Sequence, residues 1–102
     1  MKAEPLVSNK QKPVEVSDKL INELHFPKED VLNLNFDKNQ REKDLQHAVI
    51  LGSVYKTKVS VLFEDIEGLK KVTTTVEGIT SSSVNLDQNA NIPIHRVVRI
   101  YY

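Results

Sequence analysis

Lys58-Val59-Ser60-Val61-Leu62-Phe63-Glu64-Asp65-Ile66-Glu67-Gly68-Leu69-Lys70-Lys71-Val72-Thr73-Thr74-Thr75-Val76 is the stretch that decides the fold. Val59, Val61 and Phe63 alternate with Ser60, Leu62 and Glu64, the period of a half-buried strand. Glu64 to Gly68 reads as an acidic turn, so a second strand should return antiparallel to the first. That strand is predicted from Leu69 to Thr80, a run rich in the β-branched residues that suit a pleated surface. Val72, Thr74 and Val76 share one face. Gly78 lies within the run, and a glycine there marks a bulge or a sharp bend.

Toward the C-terminus the pattern stays β. Ser81-Ser82-Ser83 forms a turn, and Val84 and Leu86 belong to a short third strand. Asp87-Gln88-Asn89-Ala90-Asn91 is the next turn. Ile92-Pro93-Ile94 enters a fourth strand, with Pro93 implying an edge or a strand end because proline donates no ladder hydrogen bond. Val97 to Tyr101 closes the molecule after His95-Arg96.

Toward the N-terminus the signals change. Val31-Leu32-Asn33-Leu34-Asn35-Phe36 alternates, which predicts a strand burying Leu32, Leu34 and Phe36. Asp37 and Gln40 then have the spacing of a capping box, opening a helix over about 37–51. Leu45, Ala48, Val49 and Gly52 follow at helical spacing, with Gly52 expected as the left-handed C-terminal residue. Arg41, Glu42, Lys43, Asp44 and Gln46 are expected on the wet face. Earlier still, Ser17 can cap two helical turns carrying Leu20, Ile21 and Leu24, stopped at Pro27, although a strand suits that segment nearly as well. Residues 1–13 are polar, contain Pro5 and Pro13, lack periodicity, and read as a flexible arm. Residues 14–102 read as one domain.

The chain from 37 to 102 therefore resembles a helix followed by a five-stranded antiparallel barrel of the SH3-like or Sm-like kind. The long bent second strand, the short third one and the segment Ile92-Pro93-Ile94-His95-Arg96-Val97-Val98-Arg99-Ile100 carry the resemblance. The elements Phe63-Glu64-Asp65-Ile66-Glu67-Gly68, Thr73-Thr74-Thr75-Val76 and Ile92-Pro93-Ile94-His95-Arg96 also resemble those of a family of short, uncharacterised bacterial proteins. The fold class implied is mostly β within α+β, with an N-terminal strand and helix capping the small barrel. Two departures limit what the Sm-like resemblance implies. The connection between strands two and three is Ser-rich, and Arg96 is followed by Val97 rather than glycine, so no RNA-binding residue carries over.

Composition narrows the chemistry. Fourteen Lys and Arg balance fourteen Asp and Glu over 102 residues. Residues 1–50 hold 8 basic and 9 acidic groups, and residues 51–102 hold 6 and 5, so neutrality is local as well as global. Phosphate recognition rests on clustered cationic charge, which argues against polyanion binding as the main activity. The absence of cysteine removes disulfides, thiolate metal sites and thiol nucleophiles. No apolar run has the length of a signal peptide or a membrane span, which makes the cytoplasm the expected compartment.

No constellation of catalytic residues stands out. His25, His47 and His95 lie far apart, without the i, i+2 or i, i+4 spacing that brings ligands onto one metal. Glu64, Asp65 and Glu67 lack the Asp-x-Asp-x-Asp-Gly pattern of a calcium loop. The serines and threonines fall in no Gly-x-Ser-x-Gly or Ser-x-x-Lys frame, and no glycine-rich loop cradles phosphate. No cofactor is expected.

The expectation is a non-enzymatic module acting through protein contacts or self-association, strand edges being the natural points of addition. RNA or single-stranded nucleic-acid binding is the alternative. For either, the candidate surface is Lys70, Lys71, His95, Arg96, Arg99 and Tyr101, with the tyrosine able to stack on a base.

Overall fold

Val59, Val61, Phe63 and Val72 are fully buried, and the hairpin they form organises everything else. A computed structural model describes residues 12–102 of the chain. It is an α+β fold with one main helix and seven short strands in two open sheets. The strands are β1 (Val14–Glu15), β2 (Val59–Asp65), β3 (Gly68–Thr74), β4 (Val76–Ile79), β5 (Ser83–Leu86), β6 (Asn91–Pro93) and β7 (Val97–Tyr101). The helix, α1, spans Asn35–Ser53. One sheet has the order β1-β3-β2-β7, with β1 parallel to β3 and the other pairs antiparallel. The other has the antiparallel order β4-β5-β6. No closed barrel forms among the described residues.

The predicted second strand breaks at Thr75, and its two halves enter different sheets. The bend thus falls three residues before Gly78. Gly78 still sits at an irregularity, since the β4–β5 register slips between Val76 and Gly78, as a bulge requires. A second bulge explains the face of β7. Phe63 pairs with Val97 and Leu62 with Arg99, so Val98 is the extra residue. Val97 and Ile100 consequently point inward, while Val98 is half-buried.

The N-terminal third departs furthest from the pattern. The strand expected over 31–36 does not form. Leu32 is buried, but Leu34 is 60% and Phe36 76% exposed, because the helix begins at Asn35 and turns Phe36 outward. Asp37 lies inside the first turn rather than capping it, and Leu34 occupies the cap position without a side-chain hydrogen bond. At the other end Gly52 is helical and buried. The left-handed residue that reverses the chain is Lys56, with φ of 57°. Segment 17–24 is a 3-10 helix, Asp18–Glu23, with Ser17 Oγ accepting from the Lys19 amide. It buries Ile21, leaves Leu20 exposed and ends at Leu24, ahead of Pro27. The predicted arm lies outside the described residues except for Lys12 and Pro13, which are exposed.

The core joins both sheets to one face of α1: Leu45 and Ala48 from the helix, Phe63, Val72, Val76, Val84, Leu86 and Ile92 from the strands, and Ile21 from below. Helix α1 packs across β4 of one sheet and β7 of the other. Burying a side chain such as Phe63 is worth roughly 1.5–3 kcal/mol, so this set holds most of the stabilising area. No helix among the described residues is long and apolar enough to cross a membrane.

Candidate functional site

Three of the chain's cations are structural ties rather than surface charges. In the β2–β3 turn Asp65 is only 3% exposed. Its Oδ1 accepts from the amides of Glu67 (2.9 Å) and Gly68 (3.1 Å), and its Oδ2 meets Lys70 Nζ at 2.7 Å. Burial by itself would raise the Asp65 carboxyl. The Lys70 ammonium and the two amides outweigh it and hold the group below the usual carboxylate range. The Asp65 hydrogen bond in turn raises Lys70 above its ordinary value, against the opposing effect of burial.

Arg96 forms the second tie. Its Nε donates to the Glu64 carbonyl (2.9 Å), Nη1 to the Glu29 carbonyl (2.7 Å) and Nη2 to Glu64 Oε1 (3.3 Å). Arg41, expected on the wet face of the helix, is the third. It forks onto both oxygens of Asp30 at 2.9 and 2.8 Å and reaches the Val97 carbonyl at 3.1 Å. Burial pushes the Asp30 carboxyl up, but Arg41, the Leu32 amide and Lys38 together bring it below its ordinary value. The Arg96 and Arg41 ties fasten the irregular segment 25–34 across the ends of β2 and β7, helped by the His95 ring, whose Nε2 lies 3.0 Å from the Pro27 carbonyl.

The candidate surface read from sequence therefore divides. Lys70 and Arg96 are buried, and His95 is half-buried. Lys71, Arg99 and Tyr101 do come together. Lys71 and Arg99 both pair with Leu62, and Tyr101 pairs with Ser60 two residues earlier on β2. Alternation along the strands puts all three on the outer face of the four-stranded sheet. Lys71 is held there by Glu15 at 3.2 Å.

Strand edges are less inviting than the sequence suggests. β6 has three residues, its Asn91 amide is taken by Asn22 Oδ1 at 3.0 Å, and Pro93 has no N–H to offer two positions on. A short edge with a proline and a side-chain cap resists strand addition. The β3 edge is partly covered by β1.

The feature that pattern reading missed is the outer face of α1. This helix buries Arg41, Leu45, Ala48 and Gly52 and exposes Phe36 and Ile50, and its C-cap residue Val54 is exposed as well. A surface helix ordinarily sorts apolar residues inward and charge outward. Here an arginine is inside and a phenylalanine outside. At ~100° per residue Phe36, Gln40, Lys43, His47, Ile50 and Val54 fall within about 40° of a single line along the helix. Tyr102 lies beside the middle of that line: its ring meets His47 edge-on at 4.5 Å between centroids, and its hydroxyl donates to Asp44 Oδ1 at 2.9 Å. Burial first, and then the Asp44 carboxylate, raises the Tyr102 phenol above its ordinary value. The spacing of Phe36, Ile50 and Val54 was the signal that would have revealed the stripe.

Among the described residues no group of three or more His, Asp or Glu side chains is placed to hold a metal ion. An open, largely apolar groove of about 400 Å³ runs between the 3-10 helix at 18–23 and β6, with Ile21, Leu24, Phe26 and Pro93 along it. No family model, curated protein or solved structure matches the chain.

Proposed function

We propose that this chain is a non-enzymatic, cytoplasmic interaction module that works through protein contacts made by the outer face of α1. One observation carries the reading: the helix turns Phe36, Ile50 and Val54 to solvent while spending Arg41 and Gly52 on its packed side. Aromatic and aliphatic side chains gathered on an exposed face gain by excluding water against a partner, and aromatic residues are favoured in interface centres.

The scaffold is an opened relative of the SH3-like and Sm-like small barrels. In support, only Thr75 separates β3 from β4, so one sheet with the order β7-β2-β3 leads along the chain directly into the other with the order β4-β5-β6. The single 3-10 turn Ile94–Arg96 between β6 and β7 also suits that family.

Capture by a tagged chain from a lysate containing an untagged second copy tests the reading. Protein capture should survive nuclease and be lost in the double variant Phe36→Asp/Val54→Asp. Capture abolished by nuclease, or unchanged in the variant, would overturn it.

The common face of Lys71, Arg99 and Tyr101 favours a second reading, single-stranded nucleic-acid binding on the outer sheet face. Oligonucleotide affinity that falls steeply with salt supports it, since such binding releases counterions, and no binding at low salt removes it.

A further inference from the structure

A cavity of about 280 Å³ lies between the first turns of α1 and the turn that joins β4 to β5. Leu45, Ile79 and Ile94 give it an apolar wall, and Lys38, Arg41 and Ser81 bring hydrogen-bond donors to it. The turn is fixed from within. Thr80 Oγ1 accepts from the amides of Ser82 (3.2 Å) and Ser83 (3.0 Å), and the Thr80 amide donates to the Ser83 carbonyl at 2.9 Å. The Ile94 amide donates to the Ser82 carbonyl at 2.9 Å, which ties the turn to the apolar wall. A cavity held in this way needs little ordering when a ligand enters.

Its donors are ones the fold has left unused. Lys38 is half-buried and feels the Asp30 carboxylate without closing an ion pair on it or on any other described residue. Arg41 commits Nη1 and Nη2 to Asp30 and the Val97 carbonyl, but its Nε–H meets no acceptor among the described residues, although the residue is only 7% exposed. The Ser81 hydroxyl has no partner there either. A buried donor left without an acceptor is costly, and an anion that supplies one makes a charge-assisted hydrogen bond. We propose that this cavity binds a small organic monoanion, a carboxylate on a short aliphatic tail, with its head on Lys38, Arg41 Nε and Ser81 and its tail against Leu45, Ile79 and Ile94. The volume stands at the lower end of the roughly 300–1,000 Å³ of ligand pockets, which suits a molecule of that size. Glu42 is exposed at the rim, where water screens its charge. The site is separate from the outer face of α1 and stands whether or not that face binds protein.

Amide shifts of the labelled chain, followed while sodium pentanoate is added at constant ionic strength, test the site. Pentanoate should shift residues 38–42 and 79–83 saturably. Pentan-1-ol and pentylammonium share the tail and should bind about tenfold or more weakly, for want of the charged acceptor. Acetate keeps the head and should also be about tenfold or more weaker, for want of the tail. Lys38→Met, with an unchanged thermal melt, should lose about tenfold in pentanoate affinity, and Glu42→Gln should gain severalfold. Absence of a saturable shift in the millimolar range, or a shift confined to other residues, would overturn the site. Pentan-1-ol or pentylammonium binding as well as pentanoate would overturn the anionic head, as would Lys38→Met without effect or Glu42→Gln with a loss. Acetate binding as well as pentanoate would overturn the aliphatic tail.

Discussion

Gly52 of α1 lies directly against the Val76 carbonyl of β4. A Cβ on that glycine would overlap the carbonyl oxygen, and would stand 2.9 Å from the carbonyl carbon and 3.0 Å from Thr75 Cγ2. The helix can approach the bent strand this closely only because the residue has no side chain, and the contact sits where the strand leaves one sheet for the other.

Gly52→Ala should therefore destabilise the protein by about 2 kcal/mol or more, since the obstacle is backbone and overpacking outweighs the gain of up to ~1 kcal/mol in helix propensity. Gly78→Ala should change little beyond ~1 kcal/mol, because its nearest new neighbour would be Asn85 Nδ2 at 3.8 Å. Urea melts of the two variants check the order. A Gly52→Ala protein as stable as the parent would mean that α1 does not rest on β4.

Phe63 and Phe36 provide the sharpest contrast between a side chain inside and one outside. Phe63→Ala should cost about 3–5 kcal/mol in the same melts. Phe36→Ala should stay within ~0.5 kcal/mol for the monomer, as befits an exposed position. Comparable losses would restore the buried strand that alternation suggested for 31–36.

The Asp65–Lys70 pair sets a pH dependence whose sign follows from its shifts. Asp65 lies below its ordinary 3.8 in the folded state, so the unfolded chain takes up its proton first as the pH falls. Its stabilisation is complete above about pH 5 and is lost on acidification below the unfolded value. Asp30 acts in the same direction. Lys70 lies above 10.5 when folded, so its contribution is complete below that pH and fades as the pH rises through the folded value. Lys70→Met should cost about 3 kcal/mol near neutrality by leaving a buried carboxylate without its cation. That deficit should shrink in acid as Asp65 protonates. Chemical melts of the native chain and Lys70→Met from about pH 2 to 8 measure the acid slope, and melts of the native chain carried above about pH 10.5 measure the alkaline one.

Arg96→Met should cost about 2–4 kcal/mol, because the carbonyls of Glu29 and Glu64 each lose a charged donor. Arg96→Lys should recover only part, since an ammonium cannot reproduce the fork that reaches three acceptors at once. Hydrogen exchange should show segment 25–34 loosening first. An unchanged segment would mean that Arg96 does not tie it down.

The β region was legible because each strand has one face against the core. Val59, Val61 and Phe63 follow that rule, and so do Val84, Leu86 and Ile92. Leu32, Leu34 and Phe36 display the same alternation for a different reason. Only Leu32 is an anchor, its amide held by Asp30 Oδ1 at 2.8 Å, and the helix starts before the pattern is complete. Arg41 could not be read as buried, because its partner Asp30 and the Val97 carbonyl are brought to it by the fold rather than by spacing. The same holds for Arg96 and the carbonyls of Glu29 and Glu64. Of the candidate surface, Lys71, Arg99 and Tyr101 share a face because strand parity was readable. Lys70 has the parity of Val72 and Thr74 and pairs with Phe63, so its inward turn was legible too, whereas His95 turned inward through the Pro27 carbonyl, a contact that parity does not encode.

Retention of protein by the native chain after nuclease treatment tests the central claim most directly. A tagged native chain should retain a protein partner, a second copy included, and the Phe36→Asp/Val54→Asp chain, with an unchanged thermal melt, should retain none. Retention that nuclease abolishes, or that persists undiminished in the variant, would contradict the assignment of the α1 outer face as the contact surface.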